Sequence, residues 1–260
     1  MPAPEAELRL LIEAARTAGE IARTHFRAKP EIWTKGDDSP VTEADIAIDR
    51  VLRTDLLAAR PDYGWLSEET EDDATRLQAE RCFILDPIDG TRAFIDGQTS
   101  FAHAIAIAED GEVVAGVVYL PMKDKLYAAA RGMGATLNGA PIRVSGTTGA
   151  RGASLLATRA MLEDRHWRGG APPVARVHRP SLAYRLALVA EGHFDGMVTF
   201  RDTWEWDIAA GAILVTEAGG LLTDGVGETP FFNRPVPHVP GLMAAGPGLH
   251  RTLLDHRLGR

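Results

Sequence analysis

The sequence predicts an α+β layer structure rather than a doubly wound sheet, on two observations. Two amphipathic helical stretches come first, and a run of strands follows whose short Asp-Gly and Asn-Gly turns suit antiparallel neighbours. In residues 5–27, Leu8, Leu11, Ile12, Ala15, Ala18, Ala22 and Phe26 recur at spacings of three and four, one apolar stripe on a helix. The second helix is expected from Thr42 to Ala59, with Ala44, Ala47, Ile48, Val51, Leu52 and Leu56 on one face. Pro40 stands just ahead of it and Pro61 just behind, as helix boundaries read. Between the helices, Lys35-Gly36-Asp37-Asp38-Ser39-Pro40 is turn chemistry.

The period then changes. Cys82-Phe83-Ile84-Leu85 is a short buried strand, and Phe101 to Ala108, the Asp110-Gly111 turn and Glu112 to Leu120 form a hairpin. Leu126 to Ala130 and Ala135 to Leu137 add strand, and Asn138-Gly139 a further turn. Residues 145–153, small and polar without periodicity, are the expected boundary between an N-terminal portion (1–145) and a C-terminal portion (153–260). Beyond it come a strand at Ser154 to Ala157, a helix at Ser181–Ala190, a strand near Met197–Phe200 and a helix at Ile208–Glu217. Gly219-Gly220 stops that last helix, and Pro230, Pro235, Pro237 and Pro240 mark a loop-rich stretch.

With 260 residues, 45% hydrophobic and 25% charged, the composition is that of a globular protein and excludes a fibre or a membrane bundle. A net charge of −8 disfavours a partner such as a nucleic-acid polymer, and no apolar run is long enough to cross a membrane. The single cysteine, Cys82, excludes an intrachain disulfide, and the start Met1-Pro2-Ala3-Pro4-Glu5 lacks a basic leader. A cytoplasmic location is the expectation.

Chemistry concentrates in Asp86-Pro87-Ile88-Asp89-Gly90-Thr91, which follows a buried strand and precedes a short helical stretch, Arg92-Ala93-Phe94-Ile95. Pro87 is expected to hold a turn, so that two carboxylates three residues apart converge on one point. Ile88 between them offers a cation only its carbonyl. The amides of Gly90 and Thr91 open a helix N-terminus, an anion site. Hard oxygen ligands beside an anion cradle describe a magnesium–phosphate site. Taken alone, the segment is a turn whose Asp89 caps a helix. Two further acidic segments alter that balance: Trp65-Leu66-Ser67-Glu68-Glu69, and Trp204-Glu205-Trp206-Asp207, where Asp207 alone would be an N-cap. Thr42-x-x-Asp45 likewise matches a capping box.

Together these segments resemble the inositol monophosphatase family of magnesium-dependent, lithium-sensitive phosphomonoesterases. The matching residues are Val41-Thr42-Glu43-Ala44-Asp45, Ser67-Glu68-Glu69, Asp86 to Thr91, and Trp206-Asp207-Ile208-Ala209-Ala210-Gly211 running into Thr216-Glu217-Ala218-Gly219-Gly220. They occur in the family's order over about residues 8 to 225. The resemblance implies an αβαβα sandwich of alternating helix and sheet layers in two α/β-type portions. It implies that Glu68, Asp86 and the Ile88 carbonyl bind a first magnesium, and Asp86, Asp89 and Asp207 a second, with a weaker third near Glu68. Thr91 would orient the attacking water, Asp45 would polarise the Thr91 hydroxyl, and the Gly90 and Thr91 amides would cradle phosphate. Every ligand and the water-orienting pair are present, which argues against a catalytically dead regulator on the same scaffold. Cys82 is read as core, and His103 as packed within an apolar strand.

The partner is then a small phosphorylated metabolite, and since the family holds both dimers and monomers a homodimer stays open. In inositol monophosphatases a glutamate shortly after the position of Asp195 contacts sugar hydroxyls; here Met197 to Thr203 holds none. Thr203-Trp204-Glu205-Trp206-Asp207 and Gly90-Thr91-Arg92-Ala93-Phe94 are instead similar to the branch acting on adenosine 3′(2′),5′-bisphosphate. Arg92 and Arg201 are the expected contacts to a second phosphate. That substrate ranks first, ahead of inositol or another polyol phosphate, and of histidinol phosphate or another small ester.

Overall fold

The computed structural model describes residues 2–28, 31–34, 36 and 39–258. Lys35, Asp37 and Asp38 of the expected turn lie outside the described residues. In chain order the elements begin with α1 (Pro4–Ala28), the hairpin β1 (Ile32–Thr34) and β2 (Pro40–Thr42), and α2 (Glu43–Ala59). Then come β3 (Gly64–Ser67), β4 (Arg81–Asp89), α3 (Thr91–Ile95), β5 (Ala102–Glu109), β6 (Glu112–Leu120), β7 (Lys125–Ala130), β8 (Ala135–Leu137) and β9 (Ala140–Pro141). The remainder is β10 (Ser154–Leu156), β11 (Ala175–Val177), α4 (Leu182–Ala190), β12 (Gly196–Trp204), α5 (Glu205–Glu217), β13 (Leu221–Thr223), β14 (His238–Ala245) and α6 (Pro247–His256).

Strands β3 to β9 lie side by side in sequence order as one seven-stranded sheet. Every pair in it is antiparallel except β3 with β4, which is parallel. Alternation along these strands sorts side chains to two faces. Phe83, Leu85, Ile105, Ile107, Val117 and Tyr119 meet the apolar stripes of α1 and α2, through Leu11, Ala15, Ala18, Ile48, Leu52 and Leu56. Cys82, Ile84, Ala104, Ala106, Val118 and Leu120 face α4 and α5 instead. Burying each large aliphatic side chain contributes roughly 1.5–3 kcal/mol. The second face is built of smaller residues, and this lets α5 approach closely. At Gly116 any Cβ would stand 2.7 Å from Ile213 Cγ2 and 3.0 Å from Ala210 Cα, so the strand can carry no side chain there.

The far sides of α4 and α5 rest on a five-stranded sheet of order β11-β10-β12-β14-β13, through Leu156, Met197, Leu242 and Ala244. Its outer face is closed by α6 with Trp167 and Met161. The layers therefore run helix, sheet, helix, sheet, helix: the αβαβα sandwich. Three local expectations are corrected. The strand beginning near Cys82 does not stop at Leu85 for a turn at Pro87; β4 continues to Asp89 through a bulge. Asp207 is not an N-cap, because α5 starts two residues earlier with Trp204 as cap. Pro240, expected in loop, lies within β14, where it pairs with Asp202 beside an irregularity in β12, the kind of place a sheet tolerates proline.

Candidate active site

The site is assembled at one end of β4, where the ladder to β5 is interrupted. Asp86 pairs with Ala104 and Asp89 with Ala102, so three steps on β4 oppose two on β5. This is a β-bulge, which re-aims side chains and breaks local pairing. Both bulged carbonyls are taken by side chains: Pro87 O accepts from His103 Nδ1, and Ile88 O accepts from Thr91 Oγ1 at 3.1 Å. Pro87 has no N–H to leave unsatisfied. The Ile88 side chain is fully buried beneath, leaving its carbonyl as its only polar offering. Gly90 then takes a φ of 103°, a left-handed conformation, and starts α3 at Thr91.

Other elements bring acids to this point. Because β3 and β4 pair in parallel with Ser67 beside Leu85, the next residue on each, Glu68 and Asp86, emerge together. The Glu68 amide donates to Leu85 O at 3.3 Å. Asp207 arrives in the first turn of α5, where the helix dipole favours a carboxylate. One oxygen from each of Asp86, Asp89 and Asp207 lies within 4.8 Å of the other two, a group that could hold a metal ion. Glu68 falls outside that tight group.

Asp89 is held from a third direction, one that the sequence did not reveal. Its Oδ2 accepts from Ser181 Oγ at 2.8 Å and from the Ala183 amide at 2.7 Å. Ser181 also caps α4, accepting from the Tyr184 amide at 3.0 Å. The start of α4 and the bulge of β4 are therefore tied through one carboxylate. Pro180-Ser181 ahead of an apolar helix was the available signal for the cap, though nothing local pointed to Asp89.

The electrostatics are unfavourable without a counter-charge. Asp86 is pushed well above the usual carboxylate range, first by burial and then by Glu68, Asp89, Asp207 and Asp45. Burial pushes Asp89 up to about 6 despite the bonds from Ala183 and Ser181. Asp86 Oδ1 is buried without a hydrogen-bond partner among the described residues. A buried, unpartnered carboxylate oxygen amid other carboxylates suits a hard cation and little else.

Asp45 divides its two oxygens. Oδ2 accepts from the Thr42 amide at 2.8 Å and from Thr42 Oγ1 at 2.6 Å, while Oδ1 stands 3.5 Å from Thr91 Oγ1. The helix-start contact and the approach to Thr91 thus coexist in one fully buried carboxylate. Cys82 is buried on β4, its thiol pushed up to about 12 by burial, which makes it unreactive.

Of the two expected substrate arginines, Arg92 is exposed on the first turn of α3 and Arg201 is exposed beside the irregularity in β12. The structure adds Arg185 on α4. Its Nε donates to Arg179 O at 2.5 Å, and its guanidinium lies 3.1 Å from His178 Nε2. Burial lowers its pKa, Asp89 raises it and Arg201 lowers it further, so the two arginines share one neighbourhood next to the carboxylates. Phe200, within the stretch that holds no glutamate, packs its ring on Trp167 at 5.5 Å and on His166 at 5.1 Å.

Fold and site define a class: an αβαβα phosphomonoesterase with a carboxylate centre that could bind metal. Residues 4–258 match the inositol monophosphatase family. The chain is 37% identical to the inositol-1-monophosphatase of Rhizobium meliloti (strain 1021), covering 86% of this chain and 88% of that relative. It is 31% identical to the histidinol-phosphatase of Chlorobaculum parvum, over 95% of each. Among solved structures it is similar to the extragenic suppressor protein suhB of Bartonella henselae, with TM-score 0.84, 29% identity and 96% and 97% of the two chains covered. The chain belongs to the inositol monophosphatase family and is a phosphoric monoester hydrolase. Among the described residues, no helix is long and apolar enough to cross a membrane.

Proposed function

We propose that the protein catalyses magnesium-dependent hydrolysis of a small phosphate monoester bearing a second anionic group, adenosine 3′,5′-bisphosphate being the favoured case. The observation that carries the metal reading is the convergence of Asp86, Asp89 and Asp207 within 4.8 Å, with Asp86 Oδ1 buried and without a hydrogen-bond partner among the described residues. The donors are all oxygen, the preference of magnesium. Asp86, Asp89, Asp207 and Glu68, with the Ile88 carbonyl, would hold two ions, and Glu68 the edge of a third. When bound, magnesium supplies charge that neutralises the phosphate dianion and acidifies water at neutral pH.

The chain's own groups do the rest. The Gly90 and Thr91 amides at the start of α3 receive phosphate oxygens. The Thr91 hydroxyl orients the attacking water, and Asp45 Oδ1 accepts the Thr91 proton. Asp89, fixed by Ser181 and Ala183, keeps its remaining oxygen aimed at the centre. Lithium, which also prefers oxygen ligands, is expected to inhibit. The lone buried Cys82 suits a cytoplasmic setting.

Arg185 and Arg201 support the second anionic group. Two cations that influence each other's charge in one neighbourhood favour an anion between them. Phe200 turned into the aromatic layer removes the partner that a polyol would use. Relatives named inositol-1-monophosphatase and histidinol-phosphatase favour the competing readings of a polyol phosphate or histidinol phosphate. A panel of the three esters with magnesium separates them. The bisphosphate is expected to have the highest kcat/KM. Arg185→Ala should lower it roughly 10–100-fold more on the bisphosphate than on inositol 1-phosphate, the scale of a charged hydrogen bond. Equal or better hydrolysis of inositol 1-phosphate by the unaltered enzyme would overturn this ranking and leave the family assignment standing.

A further inference from the structure

His103 sits opposite the bulge, between Ala102 and Ala104, the residues that pair with Asp89 and Asp86. Its ring is fully buried, with Phe101 and Tyr119 at centroid distances of 6.2 and 6.3 Å. A histidine is a poor choice for packing alone here. Its Nε2 is buried with no hydrogen-bond partner among the described residues, a penalty that a leucine of similar size would avoid. What the imidazole provides, and a leucine does not, is a donor at Nδ1. That nitrogen meets Pro87 O, a carbonyl which the bulge leaves to a side chain rather than to the ladder. Burial lowers the imidazole pKa to about 4, so the ring is neutral with a single N–H, and the carbonyl partner assigns that N–H to Nδ1.

We propose that His103 is a positioning residue for the metal centre: by holding the Pro87 carbonyl it fixes the bulge that turns Asp86 and Asp89 toward one point. The inference rests on the metal reading above. Pro87 and Ile88 are the only residues between the two carboxylates, so a rotation of the Pro87 peptide displaces both at once. Thr91 secures the Ile88 carbonyl on the other side, and His103 is the corresponding clamp on the Pro87 carbonyl. Residues that orient metal ligands typically cost 10–100-fold in metal affinity when lost.

The test is calorimetric titration of magnesium into the metal-free protein, with thermal melts of the same samples. Three variants are compared: His103→Leu removes the donor and keeps bulk, His103→Asn places an amide N–H where Nδ1 stood, and Ile105→Val weakens the same strand away from the bulge. His103→Leu is expected to weaken magnesium binding at least tenfold, His103→Asn to remain within about threefold of the unaltered protein, and Ile105→Val to lower the melting temperature without changing affinity. If the leucine variant does not fold, His103→Val takes its place as the chain lacking a donor. Unchanged magnesium affinity in the donor-less variant, or equal loss in the asparagine variant, would overturn the role of His103. Failure of the unaltered protein to bind magnesium would instead remove the metal reading on which it rests.

Discussion

Asp86→Asn is expected to lower kcat/KM by on the order of a thousandfold while raising the melting temperature of the metal-free protein. The two effects have one origin. Asp86 is the most buried of the three clustered aspartates, and the charges of Glu68, Asp89, Asp207 and Asp45 add to the effect of burial in raising its pKa. Its pKa is raised in the folded state, so its ionised form destabilises the fold above that pKa, and the penalty is relieved as pH falls. Asparagine removes the charge at every pH. At pH 8 without metal, the variant should therefore melt several degrees higher than the unaltered protein, at about 2–4 °C per kcal/mol for a chain of this order of size. The unaltered metal-free protein should itself gain stability as pH falls through about 6 toward the ordinary carboxylate value of 3.8, the range in which Asp89 is protonated in the folded state but still ionised in the unfolded one. Magnesium should flatten that dependence by supplying the counter-charge. Activity and stability measured together distinguish this from ordinary damage, which would lower both.

Thr91→Ala and Asp45→Asn should each lower kcat roughly a hundredfold, and the double variant should be little worse than either. The geometry gives the reason for this non-additivity. Thr91 Oγ1 lies between Ile88 O and Asp45 Oδ1, so removing the acceptor or the hydroxyl breaks the same relay. Asparagine at 45 retains a carbonyl oxygen for the Thr42 amide, so the start of α2 should lose only about 0.5–1 kcal/mol. Steady-state kinetics and melts on the four proteins decide the matter. A fall in melting temperature with kcat unchanged would mean that Asp45 serves the helix alone.

Much of this organisation was legible in the chain, for physical reasons. The stripes of α1 and α2 and the hairpin β5–β6 are periodic patterns that tertiary packing then uses directly. The cluster of Asp86, Asp89 and Asp207 joins residues far apart in sequence, and only the family motifs connected them beforehand. The bulge was not legible, because Pro87 fits a turn as well as an interrupted strand, and the deciding partner is His103 on the next strand. Asp207 looked like a cap because an acid preceded an apolar helix; the stacked Trp204 and Trp206, at 4.5 Å, mark the earlier start. Ser181 and Arg185 were invisible for a related reason. Ser181 is tied to Asp89, 92 residues earlier, and Arg185 lies near enough to feel the charge of that same carboxylate; no local spacing encodes either relation. The last helix, α6, was missed after the proline-rich stretch, although Leu249 and Leu253 are fully buried one helical turn apart.

The most direct measurement is phosphate release from adenosine 3′,5′-bisphosphate and inositol 1-phosphate before chelation, after exhaustive chelation, and after magnesium is restored. If Asp86, Asp89 and Asp207 form a metal centre with Glu68, hydrolysis of every ester that the enzyme accepts will vanish with the metal and return with magnesium. Hydrolysis that persists undiminished after chelation would contradict the account, whichever ester proved the better substrate.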